Sequence, residues 1–246
     1  MNVIETSGLG KRYRRKWALR YCALTVPGGH IVALVGPNGA GKTTLLTMSV
    51  GLTRPTEGAV TVLGGTAAGS LDALDRIAFV AQDAPLYRNL PVGDMLHVAA
   101  NLNRRWDQGY ATRRLDRLAI PLRQKVGELS GGQKAQLALT IALARRPGLL
   151  VLDEPLAALD PVARDDFMTS VVEAAREDDI SVVLSSHVLA ELERVATYLI
   201  VLARGQVQVA GSVKDLLASH GAGLEEIALR QLRAGAATTS RTDTTR

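Results

Sequence analysis

Residues 36–44 read GPNGAGKTT, and the first part of this stretch fits the spacing G-x-x-x-x-G-K-[ST]. Glycines at such positions let a loop wrap closely and turn its backbone N–H groups toward an anion. Gly36, Gly39 and Gly41 carry that pattern here, with Pro37, Asn38 and Ala40 between them. Lys42 would reach the β- and γ-phosphates of a nucleotide, the Thr43 hydroxyl would ligate Mg²⁺, and Thr44 completes the phosphate-facing set. A glycine turn with no ligand is the competing reading. Against it stand the short, β-branched run HIVALV before the loop and the helix-like KTTLLTMSVGL after it, which supply the strand and helix such a loop requires.

Asp153 and Glu154 close the apolar run LLVLDEP, at the end where α/β sheets present ligand groups. Acids at a strand end can simply be solvated. In the same sheet as a phosphate loop, Asp153 suits Mg²⁺ and Glu154 suits polarising a water against a γ-phosphate. His187 ends VVLSSH in the same way and is a candidate for contacting phosphate, while His30, His97 and His220 read as structural. Gln82 ends RIAFVAQ, where an uncharged amide could touch both metal and water. A second glycine pair lies in LSGGQ, residues 129–133, at the head of the good helix former KAQLALTIALARR. One chain thus holds two devices suited to phosphate, far apart in sequence.

The elements that must position these groups alternate. Residues 3–13 and 18–26 read as strands around a basic turn, residues 58–64 and 76–82 as further strands, and residues 180–187 as a buried one. Pro161 is well placed to open a helix over PVARDDFMTSVVEAARE, and YLIVLARGQVQVAGS predicts a hairpin turning at Arg204 and Gly205. Strands alternating with helices predict a mainly parallel sheet of the α/β class. Residues 92–118 change to a polar, Arg-rich helical pattern, the start of an inserted helical lobe that spans about residues 88–146 once the LSGGQ helix is included. Residues 234–246, AGAATTSRTDTTR, lack apolar periodicity and read as a disordered tail.

Composition limits the function classes. The chain has 246 residues, 47% of them hydrophobic, enough for a sizeable core. Its apolar stretches, such as VATYLIVLA, are far shorter than the roughly 20 residues that span a bilayer. The amino terminus lacks a signal-peptide pattern, and the single cysteine, Cys22, excludes an internal disulfide. These features point to the cytosol. The net charge of +5 comes largely from KRYRRKWALR and from Arg104, Arg105, Arg113, Arg114, Arg117, Arg123 and Lys125. Spread-out charge with few aromatics reads first as a solvated basic face, with an anionic membrane or nucleic acid as the other possibilities.

The ordered set GPNGAGKTT, Gln82, LSGGQ, LLVLDEP, LAALD and His187 resembles the nucleotide-binding subunit of ABC transporters over about residues 3–220. The resemblance implies a P-loop NTPase fold: a RecA-like core, an antiparallel β subdomain and an inserted α-helical subdomain carrying LSGGQ, in one ATP-binding domain over residues 1–233. It implies ATP and Mg²⁺ as cofactors and ATP hydrolysis by Glu154, His187, Gln82 and Lys42. Tyr13 becomes the aromatic that stacks on adenine, with Trp17 a less well-placed alternative. ATP would lie between two subunits arranged head to tail, where Ser130, Gly131, Gly132 and Gln133 of one meet the γ-phosphate held by the other. Asp160 of LAALD would lie at the seam. Two departures stand out. Lys134, Ala135 and Gln136 follow LSGGQ where many relatives carry an Arg-rich run, and Ala157 stands where serine is frequent.

The same resemblance implies a second ATPase subunit, identical or different, and a separate transmembrane permease. The chain would then sit peripherally on the cytoplasmic face of the cell membrane, with no specific nucleic-acid partner. DAPLYRNLPVGDMLHVAANL after Gln82 and LEEIALRQLRAG near the end resemble exporter-type subunits for drug, antibiotic or lipid efflux. The alternative is an ABC ATPase acting on nucleic acid or a cytosolic assembly, although the paired domains or long coiled coil of such proteins are not found here.

Overall fold

The computed structural model describes residues 1–237. A hairpin of β1 (Asn2–Tyr13) and β2 (Lys16–Pro27) leads to β3 (Ile31–Val35), the glycine loop and α1 (Lys42–Ser49). β4 (Glu57–Val62), β5 (Thr66–Ala67), α2 (Leu71–Arg76) and β6 (Ile77–Val80) follow. Three helices come next, α3 (Val92–Leu102), α4 (Gln108–Arg117) and α5 (Gly131–Ala144), then β7 (Leu149–Asp153), α6 (Pro161–Glu177) and β8 (Ser181–Ser186). The hairpin of β9 (Tyr198–Ala203) and β10 (Gln206–Ser212), α7 (Val213–His220) and α8 (Leu224–Ala237) complete the described chain.

Four strands form an antiparallel sheet in the order β2-β1-β4-β5. Six form a second sheet, β10-β9-β3-β8-β7-β6, parallel throughout except for its β9–β10 hairpin. Its central strands are apolar without alternation because both faces are covered. In β7, Leu150 and Leu152 pack in a layer with α3 to α6, whereas Leu149 and Val151 pack with α1 and the smaller sheet. Ala33 and Val35 of β3 face the first layer and Val32 and Leu34 the second. Parallel pairing matters for function because it brings strand ends together. Val35 pairs with Ser186 and Asp153 with Ser185, so the glycine loop, the two acids and His187 all leave one edge of one sheet.

The helical lobe is tied down by Arg146, which follows α5 with a left-handed backbone (φ 50). Its guanidinium lies 4.2 Å from the Tyr110 ring centroid, donates twice to Asp107 Oδ2 (2.9 and 3.2 Å) and reaches Asp178 Oδ1 at 2.5 Å. A planar fork suits this work, since it can pair and stack at once. One side chain thereby joins the cap of α4, the end of α5 and the end of α6.

Four sequence expectations change. β6 ends at Val80, so Gln82 lies in the turn beyond the strand rather than at its end. α2 and β5 escaped notice because six and two residues are too few for a period to show. Residues 234–237 continue α8 instead of starting a disordered tail, as their alanines favour; residues 238–246 lie outside those described. Arg114, counted with the solvated basic face, is buried at 4% exposure. Among the described residues no helix is long and apolar enough to cross a membrane.

Candidate nucleotide site

The glycine loop is held open toward solvent. Gly39 and Gly41 have positive φ, 78° and 105°, and a Cβ on Gly41 would lie 2.6 Å from the Ala18 carbonyl oxygen, so alanine does not fit there. Ala40 fixes the loop in place: its N–H donates to Pro37 O at 3.1 Å and its carbonyl accepts from Gly205 N–H at 2.9 Å. No side chain caps α1. Its first N–H groups, those of Lys42, Thr43 and Thr44, therefore lack an intrahelical acceptor and, with the helix dipole, form an anion cradle.

Lys42, 5% exposed, donates from Nζ to Gly36 O at 2.7 Å and lies 3.2 Å from Glu154 Oε1. His187 Nδ1 lies 2.8 Å from Glu154 Oε2. An ionised carboxylate only accepts, so Nδ1 carries the hydrogen. Burial pushes the Glu154 carboxyl up, but hydrogen bonds from His187 and Lys42 outweigh it and hold the group below its ordinary value. Its backbone is left-handed (φ 49), a conformation that costs an L-residue about 1–2 kcal/mol. That turn ends β7 and separates the two acids. Asp153 is buried, its Oδ1 accepting from Ser185 Oγ at 2.7 Å, while the same Oγ accepts from Glu154 N–H at 2.9 Å.

Lys42, Glu154 and His187 border a cleft of about 570 Å³, lined also by Asn38, Tyr13, Trp17, Lys16, Gln82 and Ala157, a size within the usual range for small-ligand sites. Tyr13 is 50% exposed at the hairpin tip, with Lys11 Nζ 5.3 Å from its ring. Trp17 is flanked by Arg12 and Arg20, 5.5 and 5.8 Å from its ring. Both aromatics therefore reach the cleft. Thr43 and Gln82 line it with free hydroxyl and amide oxygens, and Asp153 lies directly before Glu154 with no donor to its Oδ2 among the described residues. Three hard oxygen donors of this kind fit Mg²⁺.

The LSGGQ residues lie elsewhere. Ser130 caps α5 in a reciprocal box: Gln133 N–H donates to Ser130 Oγ at 3.1 Å and Ser130 N–H to Gln133 Oε1 at 3.0 Å. A Cβ on Gly132 would lie 2.9 Å from the Ala163 Cβ, so glycine is what lets α5 approach the first turn of α6. Asp160 caps α6, its Oδ1 accepting from the Val162 and Ala163 N–H groups at 3.0 Å each. Ser130, Gly132, Gln133 and Asp160 line a second cavity of about 490 Å³, and Gly131 faces an adjacent hollow with Gln82 and Ala158. The Lys42 cleft and the Ser130 cavity share no lining residue.

Two residues were missed, one behind the cleft and one lining it. Ser185 anchors both acids, and its only signal was a polar pair closing the apolar run VVLSSH. Lys16 reaches the cleft through the hairpin register, which pairs it with Tyr13.

A loop between a parallel strand and a helix, with acids ending the next strand but one in the same sheet, defines a P-loop nucleotide hydrolase. The ABC transporter family model matches residues 19–157. The uncharacterized ABC transporter ATP-binding protein YdbJ of Bacillus subtilis (strain 168) is 30% identical, over 86% of this chain and 70% of its own. The lantibiotic transport ATP-binding protein SrtF of Streptococcus pyogenes is 29% identical, over 83% and 89%. The thiamine import ATP-binding protein ThiQ of Shigella flexneri is 31% identical, over 81% and 88%. Among solved structures, an ATP-binding subunit of an ABC transporter superposes with a TM-score of 0.80 at 28% identity, over 93% of this chain and 99% of that one. A dimeric bacterial ABC transporter cassette gives 0.74 at 26% identity, over 85% and 98%. The chain belongs to the ABC transporter ATP-binding family. It is an ATP-binding and ATP-hydrolysing subunit, and such subunits dimerise and work with transmembrane permeases.

Proposed function

We propose that this chain powers an exporter as one half of a head-to-tail ATPase pair, in which the Lys42 cleft of one subunit closes on the Ser130 cavity of the other. The observation that carries this reading is the separation of the two cavities within one chain, each lined by half of the residues that an ATP site of this family implies. A serine that served its own nucleotide would line the Lys42 cleft.

The residues divide the work as follows. Tyr13 stacks on the adenine, Trp17 shapes the same wall, and the loop from Gly36 to Thr44 binds the phosphates through N–H groups and Lys42. To do so Lys42 exchanges Glu154 for phosphate, which frees the Glu154 carboxylate to take a proton from the attacking water. His187, bonded to that carboxylate through Nδ1, orients it and presents its other ring nitrogen toward the cleft. Thr43, Gln82 and Asp153 would hold Mg²⁺, which neutralises phosphate charge when bound. Ser130 and the N–H groups of Gly131 and Gly132 meet the γ-phosphate from the other subunit, Gln133 keeps Ser130 in place, and Asp160 sets the seam. Losing the γ-phosphate removes the anion that joins the halves.

Export is favoured by the likeness of residues 83–102 to exporter subunits; the relatives include one named for lantibiotic transport and one for thiamine import, so they support transport without a direction. An apolar hollow lined by Phe79, Pro85, Leu86, Met95 and Ile141 suits a helix of a permease, and would place the chain on the cytoplasmic face of the membrane. Whether the second ATPase is a copy of this chain is tested with the partner in hand. The tagged chain, isolated from membranes, is expected to bring down a protein with about six apolar spans of roughly 20 residues each, and drug, antibiotic or lipid cargo should stimulate the ATPase of the purified complex. Stimulation only by a solute-binding protein would reverse the direction to import. Salt-sensitive stimulation by nucleic acid, with no membrane partner, would replace the transporter reading altogether.

A further inference from the structure

α4 buries a cation that the site described above does not use. Arg114 is the only arginine among the described residues in the buried class, at 4% exposure, and its Nε has no hydrogen-bond partner. No salt bridge compensates it among the described residues. Glu173 acts on it only without direct contact, and a buried guanidinium without a paired counter-charge destabilises a fold, where an apolar residue of similar size packs at lower cost. Its one side-chain partner by distance is informative: Nη2 donates to Gln136 Oε1 at 3.1 Å. Gln136, 6% exposed, then spends both amide hydrogens on α6, donating from Nε2 to Asp166 O at 3.2 Å and to Ser170 Oγ at 3.1 Å.

The register gives this relay its meaning. Gln136 lies six residues after Ser130, and Asp166 six residues after Asp160, so the relay bridges α5 and α6 at equal depth, roughly 9 Å below each helix start. Gly132 against Ala163 is a contact near the top of the same pair. Two contacts along two helices fix both their separation and their angle. Gln136 also lines the cavity of Ser130 and Asp160.

We infer that Arg114 is a positioning residue for the Ser130 half of the ATP site: by holding Gln136 it locks α5 against α6 and sets where Ser130 and Asp160 stand when another subunit's nucleotide arrives. This rests on the two-half site proposed above. The guanidinium comes to the LSGGQ helix from α4, in a chain whose own residues after LSGGQ include no arginine until Arg145.

The test uses the Glu154→Gln chain, in which ATP and Mg²⁺ should give a stable dimer. Arg114→Met is added to it, Arg114→Lys is made in parallel in case the first variant folds poorly, and a third variant swaps the pair, Arg114→Gln with Gln136→Arg. ATP affinity of the dilute monomer and the dimer dissociation constant are measured separately. Arg114→Met should leave ATP affinity within about twofold and weaken dimerisation by about tenfold or more, a change of about 1.4 kcal/mol. Lysine, a point charge without the fork, should weaken dimerisation to a lesser degree, and the swap should restore it to within about threefold. Unchanged dimerisation in folded Arg114→Met overturns the inference, as does equal loss of ATP affinity and dimerisation, which marks a merely structural residue. Should the Glu154→Gln parent itself stay monomeric, the two-half site fails, and the inference with it.

Discussion

Glu154→Gln is expected to lower steady-state ATP turnover by about a thousandfold while leaving ATP bound. Glutamine keeps the length of the side chain but only one acceptor oxygen, so it can keep the contact with His187 while losing the one with Lys42, and it takes no proton from water. Affinity should move the other way. In the structure Lys42 lies 3.2 Å from Glu154 Oε1, an ion pair that must open before Nζ reaches phosphate. Removing the negative charge releases Lys42 and also lessens repulsion of the γ-phosphate, so ATP should bind a few-fold tighter, on the order of 1 kcal/mol. Rapid-quench turnover and equilibrium nucleotide binding separate the two effects. Turnover within tenfold of wild type would remove Glu154 from the chemistry and leave it a counter-ion for Lys42.

Lys42→Ala acts on the opposite partner. A charge-assisted bond to phosphate contributes about 1.5–3 kcal/mol, so losing Lys42 should weaken ATP binding by roughly ten- to a hundredfold and remove turnover. The variant also exposes the other task of this lysine. The Glu154 carboxyl is held below its ordinary 4.5 by His187 and Lys42 against the upward push of burial. A depressed carboxyl stabilises the fold above its unfolded value and loses that contribution as the pH falls through the folded one. The stability gap between wild type and Lys42→Ala should therefore narrow below about pH 4.5, in thermal melts followed across the acid range. A gap independent of pH would mean that Lys42 and Glu154 do not interact in solution.

The parts of this site set by local pattern were legible in the sequence. The glycine loop carries its own strand and helix, LLVLDEP and VVLSSH are apolar runs with polar ends, and each lies where its pattern places it. What the pattern could not show depends on register between distant segments. Ser185 holds both acids only because β7 and β8 pair Asp153 with Ser185. Lys42 meets Glu154 only because their strands end at one sheet edge. Gln82 was misplaced by the length of a turn that no glycine or proline announces at its start. Arg114 left no signal at all, since an arginine in an Arg-rich helix looks solvated until α5 and α6 are packed against it. The cap of α5 was the reverse case: Ser130 and Gln133 have the spacing of a capping box, and the structure forms it.

The separation of the Lys42 cleft from the Ser130 cavity makes a direct demand on mixed subunits. Lys42→Ala and Ser130→Arg chains should each be inactive alone, because every paired site then has one defective half. Mixed head to tail, one site of each unlike pair joins two damaged halves and the other joins two intact ones. With half of the pairs unlike and one of two sites working in each, an equal mixture should recover about a quarter of wild-type ATPase activity if sites act independently. If the mixture stays as inactive as its components while cross-linking shows that unlike pairs have formed, Ser130 serves the nucleotide of its own chain and the two-half site is wrong.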